Sequence, residues 1–108
     1  MKEETWGEFC EIFGVTPRNR VIEFFLEGRE IDFSIGDVAR EIGMNRATTY
    51  NTMEGLIEEG YLVPTRKVSG GQLYKLNEEK EEVKVLITAF NLVLRNVVKE
   101  HQANKVYA

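Results

Sequence analysis

The sequence of 108 residues has very few of the residues that build disulfides and metal sites. Its single cysteine, Cys10, excludes an internal disulfide and a cysteine-rich zinc site. Its single histidine, His101, leaves a histidine-based metal centre short of ligands. A Ser-His-acid set, a Cys-His set and a GxxxxGK phosphate loop are also missing, so we expect neither a cofactor nor an enzymatic activity.

Long hydrophobic runs are missing as well. No apolar stretch approaches the roughly 20 residues that a membrane-spanning helix needs. Residues 1–6 lack the basic start and apolar run of a secretory signal. Hydrophobic residues nevertheless make up 43% of the chain and charged residues 30%, a balance typical of a folded domain. We therefore expect one domain of ordinary size in the cytoplasm.

The chain carries a net charge of −4, which at first argues against a nucleic-acid partner. The charge is unevenly distributed, because residues 61–77 contain Arg66, Lys67 and Lys75 and no acidic residue. A phosphate responds to the local charge, since the screening length is roughly 8 Å at physiological salt. The net charge therefore does not exclude nucleic-acid binding.

Helix signals mark the first third of the chain. One apolar stripe at helical spacing predicts a short amphipathic helix: Trp6, Phe9, Cys10 and Phe13. Thr16 is a good cap and Pro17 a good first residue for a second helix, which we expect to end at Gly28. Residues 31–33 alternate in polarity and allow only one short strand.

Two further helices, joined by a tight turn, follow this strand. Ser34 and Asp37 form a capping box that begins the first of them, and Gly43 ends it. Asn45 caps the next helix, which we expect to run to about Glu59. Two short helices joined in this way match the helix-turn-helix, whose second helix lies in the DNA major groove.

The last third of the chain predicts a β-hairpin and one long helix. Strand-like residues 61–63 and 72–76 flank the turn residues 69–71. The acidic residues after Asn77 suit the first turn of a helix that extends to about Gln102. The order of elements predicts a mainly α (α+β) fold, a winged helix-turn-helix with a two-stranded β-wing and N- and C-terminal dimerisation helices.

Two segments carry a resemblance to a known family. Residues 37–50, DVAREIGMNRATTY, and residues 56–63, LIEEGYLV, resemble the winged helix-turn-helix transcription regulators. The wing segments PTRKV and QLYKL are similar to those of small archaeal members. The resemblance covers residues 17–77 and implies this fold and binding to DNA.

Helical geometry selects the residues that would contact DNA. Because each residue turns the helix by about 100°, an inward-facing Thr49, Met53 and Leu56 leave the opposite side free. Only the N-terminal part of a recognition helix reaches base edges. The predicted contacts on this helix are Asn45, Arg46, Ala47, Thr48, Tyr50 and Asn51. In the wing, Arg66 and Lys67 are predicted to contact phosphates or the minor groove, and Lys75 can join them. The alternative for Arg66 and Lys67 is that they are solvated charges on an edge strand.

The apolar composition of the predicted C-terminal helix indicates a dimer. Residues 85–94 are almost entirely apolar, and a helix that is apolar on nearly all sides must be covered on nearly all sides. We expect a second copy of the chain to cover the side that a small domain cannot. The predicted interface residues are Trp6, Phe9, Phe13, Val85, Ala89, Phe90, Leu92 and Val93. The alternative is that the two flanking helices pair within one monomeric chain.

These predictions divide the chain into three parts: an N-terminal helix with a dimer contact (1–15), the winged helix-turn-helix (16–77) and the C-terminal dimerisation helix (78–108). The function they favour is a homodimeric, sequence-specific regulator of transcription that binds double-stranded DNA at a palindromic site. A repressor is favoured over an activator, because no separate effector domain is present. The alternative is a winged-helix protein–protein interaction module. A redox signal at Cys10 and a small-molecule effector in an aromatic pocket remain open, although core packing accounts for the same residues.

Overall fold

A computed structural model describes the backbone of residues 6–106 and the side chains of residues 6–100, so the side chain of His101 lies outside it. The elements are, in chain order, α1 (Glu8–Phe13), α2 (Pro17–Glu27), α3 (Ile35–Ile42), α4 (Arg46–Glu58), β1 (Leu62–Val68), β2 (Gly71–Leu76) and α5 (Glu81–Val106). Helices followed by an antiparallel hairpin confirm the predicted winged helix-turn-helix.

The predicted helix starts are present with their hydrogen bonds. Thr16 Oγ1 accepts from the N–H of Asn19 at 3.0 Å, and Pro17 is the first residue of α2. At α3 the capping box is complete, since the N–H of Asp37 donates to Ser34 Oγ and the N–H of Ser34 donates to Asp37 Oδ2, both at 3.1 Å. Such caps satisfy amides that have no partner inside the helix.

The turn between α3 and α4 has the geometry of a helix-turn-helix. Gly43 ends α3 in the left-handed conformation, with φ 66° and ψ 34°, which a residue without a Cβ adopts at no steric cost. Met44 packs against the core. The side-chain oxygen of Asn45 then accepts from the N–H of Thr48 at 3.1 Å and so caps α4. The turn therefore ends one helix and begins the next within three residues.

The core lies between α2, the helix-turn-helix and the inner side of the hairpin. Val21 and Phe25 of α2 are fully buried. The other elements contribute completely or almost completely buried side chains: Val38 and Ile42 from α3, Met53 and Leu56 from α4, Leu62 from β1, Leu76 from β2 and Val83 from α5. The inward face predicted for α4 is confirmed, because Thr49, Met53 and Leu56 are its buried residues.

The strand expected at residues 31–33 is a single bridging residue. Phe33 pairs with Tyr74 of β2 through two backbone hydrogen bonds, of 2.9 and 2.8 Å. The chain cannot continue the pairing, because the next residue, Ser34, is already the N-cap of α3. This bridge fixes the hairpin beside the start of the helix-turn-helix.

The C-terminal helix begins three residues later than predicted, at Glu81 and not directly after Asn77. Asn77 uses its side-chain amide to donate to the carbonyl of Gly60 at 2.9 Å, and its side-chain oxygen accepts from the N–H of Glu79 at 3.2 Å. Residues 77–80 therefore form a turn, and α5 starts at Glu81.

The short helix α1 is held by a carboxylate that the local sequence does not reveal. Glu23 of α2 is buried, and its two oxygens accept from the N–H of Gly7 at 2.7 Å and from the N–H of Cys10 at 3.1 Å. A side chain from another helix thus satisfies the free amides at the start of α1.

Candidate nucleic-acid interface

The residues predicted to contact DNA from α4 lie together at the first two turns of that helix. One of them, Thr48, is half-buried, and the other five are exposed: Asn45, Arg46, Ala47, Tyr50 and Asn51. Further along the helix, Glu54 and Glu58 are also exposed. The uncharged and basic start of α4 is therefore the part that an anionic partner can approach.

Arg46 lies in a groove between α4 and the wing. Its guanidinium covers Gly36 of α3, with Nη2 3.4 Å from where a Cβ on that glycine would stand. The cavity beside it has a volume of about 300 Å³ and is also lined by Tyr50 and by Gly70 and Gln72 of the wing. Arg46 forms no ion pair within the described part of the chain, so its charge is available to a ligand in this groove.

A second arginine, Arg40, lies beside Arg46 at the next cavity, and its charge is balanced. Arg40 Nη2 lies 2.7 Å from Asp37 Oδ1. The pKa of Asp37 is lowered, first because its carboxylate accepts a hydrogen bond from the N–H of Ser34 and then because of Arg40. Arg40 and Arg46 both line a neighbouring cavity of about 400 Å³. Arg46 is the arginine of the pair that lacks a carboxylate partner.

Asn45 and Asn51 are not equivalent as candidates for reading bases. The side-chain oxygen of Asn45 is engaged in the cap of α4. An asparagine that pairs with adenine uses both its oxygen and its amide group. Asn51 is exposed, and its side chain makes no hydrogen bond to the described residues, so both of its groups are free.

The three predicted wing cations are in three different situations. Arg66 forms a two-point ion pair with Asp32, with Nε–Oδ2 at 2.9 Å and Nη2–Oδ1 at 3.2 Å. Lys67 is exposed near the tip and has no ion pair among the described residues. Lys75 is half-buried at the base of the hairpin, opposite Val63.

Asp32 reduces the positive charge that was expected for residues 61–77 from their sequence. Its pKa is lowered to about 2, first by the hydrogen bond from Arg66 and then by the hydroxyl of Thr65, which donates at 2.6 Å. The pKa of Arg66 is raised by the same contact. The surface formed by residues 61–77 therefore has a less positive charge than the count of its own residues indicates. The reason is that Arg66 forms an ion pair with Asp32, which is 34 residues away in the sequence.

The two arginines at the start of α2 contact other elements of the fold. Arg18 pairs with Glu59 at 3.0 Å and stacks 4.9 Å above the ring of Tyr61. Arg20 donates to the carbonyl of Ile42 at the end of α3 and lies 5.5 Å above the ring of Trp6. Neither contact could be read from the local sequence, because Glu59 and Ile42 are distant from these arginines along the chain.

The predicted dimer surface divides into core and exposed residues. Phe9, Phe90 and Val93 are buried within the protomer, and the rings of Phe9 and Phe90 lie 6.4 Å apart. These three residues are therefore corrected to core residues. Trp6 and Ala89 are half-buried, and three members remain well exposed: Phe13 at 52%, Val85 at 66% and Leu92 at 52%.

The second half of α5 extends this exposed apolar surface. Within residues 94–100, no residue is buried by the protomer. Leu94, Val97 and Val98 are between 40% and 52% exposed. Among the described side chains of α5, the buried stripe therefore ends at Val93.

Other kinds of site find little support in residues 6–100. That part of the chain contains no group of three or more His, Cys, Asp or Glu side chains that could hold a metal ion. Within the described residues, no helix is both long enough and apolar enough to cross a membrane.

Comparison with known families gives one match, and it falls on the helix-turn-helix. Residues 20–66 match the IclR helix-turn-helix domain. This range includes α3, the turn, α4 and the first residues of the wing. None of the curated proteins matches the chain.

Solved structures share the fold at low sequence identity. A possible transcriptional regulator from Methanosarcina mazei Go1 has a TM-score of 0.56 and 14% identity, over 88% of this chain and 82% of that one. A MarR family transcriptional regulator from Silicibacter pomeroyi DSS has a TM-score of 0.56 and 18% identity, over 79% and 55%. The ferric uptake regulator of Francisella tularensis, solved with iron, has a TM-score of 0.52 and 19% identity, over 75% and 61%. The chain thus spans less than two thirds of the length of the last two proteins.

The structural likeness shows the fold, and the family match assigns the helix-turn-helix within it. The small archaeal type suggested by the wing segments stays a prediction. The chain therefore has the winged helix-turn-helix fold, and its residues 20–66 are similar to the IclR helix-turn-helix domain.

Proposed function

We propose that the chain is a homodimeric regulator that binds a palindromic site in double-stranded DNA and represses transcription by occupying it. The observation that carries this proposal is the groove in which Arg46 and Tyr50 of α4 face the wing residues Gly70 and Gln72. A helix start and a wing on one surface suit the major groove and the adjacent backbone. The role implies a cytoplasmic location.

The start of α4 supplies the base contacts in this proposal. Arg46 can pair with guanine, and Asn51 with adenine, because each presents groups that are free in the protein. The methyl group of Ala47 suits a thymine methyl. Thr48 and Tyr50 have hydroxyls that can hold phosphates and so fix the position of the helix.

The exposed apolar surface supports the homodimer. Phe13 of α1 and Val85 and Leu92 of α5 expose large apolar side chains. The transfer of such side chains out of water is favourable, so their burial in an interface would stabilise a dimer. A twofold dimer would present two copies of α4 about 34 Å apart, one turn of DNA, and would therefore read a palindrome.

The test is selection of bound sequences from random duplexes, followed by titration of the selected site at several salt concentrations. We expect a palindromic motif, and we expect the logarithm of the affinity to fall linearly with the logarithm of the salt concentration, because phosphate contacts release counterions. No motif, together with no salt-dependent binding, would contradict the proposal and favour the protein-interaction module.

Substitutions separate base contacts from backbone contacts. Arg46→Ala and Asn51→Ala should each relax the preference at one base position, at a cost of about 1–3 kcal/mol on the preferred site. Lys67→Ala should weaken all sequences alike. Lys84→Ala, an exposed cation of α5 that pairs with Glu81, is the matched control and should leave binding unchanged. Equal loss on every sequence for Arg46→Ala would contradict its assigned role.

A further inference from the structure

The wing contains a β-bulge at Arg66. The register pairs Pro64 with Tyr74 and Lys67 with Gln72, and it shifts between these two pairs. Two residues of β1, Thr65 and Arg66, therefore lie opposite one residue of β2. A bulge of this kind redirects side chains and increases the local twist of the strand.

The bulge turns both of its side chains toward Asp32. The Thr65 hydroxyl donates to Asp32 Oδ2 at 2.6 Å, and the guanidinium of Arg66 donates to both carboxylate oxygens, at 2.9 and 3.2 Å. Asp32 is 16% exposed, and Arg66 remains 66% exposed. A two-point arginine–carboxylate contact is geometrically specific, so it fixes the direction of the wing as well as balancing charge.

A second side chain closes the bulge from the other strand. Gln72 Nε2 donates to the backbone carbonyl of Arg66 and to that of Leu73, both at 3.0 Å. Beyond these bonds only residues 67–71 form the tip of the wing, and there is open space around Gly70 and Gly71. A two-stranded hairpin is marginally stable by itself, so the direction of the tip depends on how the bulge is tied to the body of the protein.

We propose that Asp32 and Arg66 form a wing anchor, in which Arg66 is a positioning residue and Lys67 makes the wing's contact with the DNA backbone. This inference rests on the proposed DNA binding. The charge of Arg66 is already matched by Asp32 in the free protein, whereas Lys67, the next residue, has no ion pair among the described residues. A phosphate would have to compete with a carboxylate at 2.9 Å to use the same edge of Arg66.

The salt dependence of DNA binding distinguishes an anchor from a phosphate contact. Lys67→Ala should reduce the slope of log K against log salt concentration by about 0.9, the value for one lost phosphate contact. Arg66→Ala and Arg66→Lys should both lower the affinity while leaving that slope unchanged, because lysine keeps the charge and loses the two-point fork. A slope that falls by about 0.9 in Arg66→Ala and is restored in Arg66→Lys would overturn the inference.

Hydrogen exchange in the free protein tests the anchor without DNA. Amides of residues 67–71 should exchange faster in Asp32→Ala, Arg66→Ala and Arg66→Lys, and the double variant Asp32→Ala/Arg66→Ala should exchange no faster than the single variants, since all break one contact. Lys67→Ala is the control and should leave the rates of its neighbours unchanged. Unchanged exchange in Arg66→Ala would overturn the anchor. If the wild-type protein bound no DNA, the proposed function would fail while this experiment still decided the anchor.

Discussion

At the scale of the residue, the reactivity of the Cys10 thiol depends on its burial and on a neighbouring carboxylate. It is fully buried, and burial, followed by the neighbouring carboxylate of Glu23, raises the pKa of its thiol to about 12. The thiolate is the reactive form, so the native protein holds this cysteine in its unreactive form at neutral pH. Cys10 therefore acts as a small packed side chain, and the structure gives no support to a redox signal at this position.

The native protein should resist thiol-specific labelling at pH 8, and the unfolded protein should be labelled rapidly. The reason is that the thiol is both inaccessible and protonated in the folded state. Mass spectrometry after timed exposure to iodoacetamide, with and without denaturant, measures both rates. Rapid labelling of the native chain would contradict the assignment.

The low pKa of Asp32 predicts a contribution to stability that depends on pH. Its folded-state pKa, about 2, is below the ordinary value of 3.8, so the contribution is fully present above about pH 4 and is lost as the pH falls toward 2. Asp32→Asn removes this contribution. The difference in unfolding free energy between wild type and variant should shrink between pH 4 and pH 2, as measured by urea titrations.

A difference that stayed constant over this pH interval would show that the carboxylate of Asp32 does not titrate with folding. Glu79→Gln, at an exposed residue in the turn before α5, is the control and should unfold like the wild type throughout.

At the scale of the element, some features depend on residues that are close in the sequence, and others depend on residues that are far apart in it. The starts of α2 and α3 and the turn at Gly43 could be predicted, because each depends on residues within four positions of one another. The wing anchor could not, since Asp32 and Arg66 are 34 residues apart. The Glu23 cap of α1 and the later start of α5 were missed for the same reason.

The same distinction applies to the candidate site. The exposed start of α4 follows from helical periodicity, which also identifies Thr49 as buried. The engaged oxygen of Asn45 follows from the cap that the sequence itself predicts. The burial of Phe9, Phe90 and Val93 within one protomer depends on how α1 and α5 cross, which periodicity alone does not contain.

Removing the cap of α3 should destabilise the helix-turn-helix. Ser34→Ala leaves the N–H of Asp37 without its 3.1 Å acceptor, and the expected loss is about 1 kcal/mol of unfolding free energy. Ser69→Ala, in the exposed turn of the wing, is the matched control and should have no effect. Urea unfolding followed by circular dichroism measures both, and equal midpoints for the two variants would contradict the role of the cap.

At the scale of the whole molecule, the main feature of α5 is its exposed apolar surface. Its first half packs on the protomer through Val83, Phe90 and Val93, while its other side and its second half expose apolar residues. Large apolar patches on soluble proteins usually mark interaction surfaces. The proposed partner is a second copy, because both halves of a twofold interface can use this one surface.

Charged substitutions on the exposed side of α5 should therefore produce a folded monomer. Val85→Glu/Leu92→Glu changes residues that are 66% and 52% exposed in the protomer, so the core is left intact. Glu79→Lys, at an exposed residue in the turn before α5, is the control. Sedimentation velocity should give a dimer for the wild type and the control and a monomer for the double variant, with the same helix content. A monomeric wild type at tens of micromolar, or a dimeric double variant, would refute the interface.

The β-bulge of the wing also has a consequence for the solubility of the protein. In the described part of the chain β1 pairs only with β2. Its outer edge therefore carries unpaired backbone groups, which are the groups that a strand of another molecule pairs with when sheets aggregate. Pro64 removes one donor from that edge, and the bulge beside it breaks the regular spacing on which such recruitment depends. The irregularity that aims Arg66 at Asp32 thereby also protects the wing against aggregation.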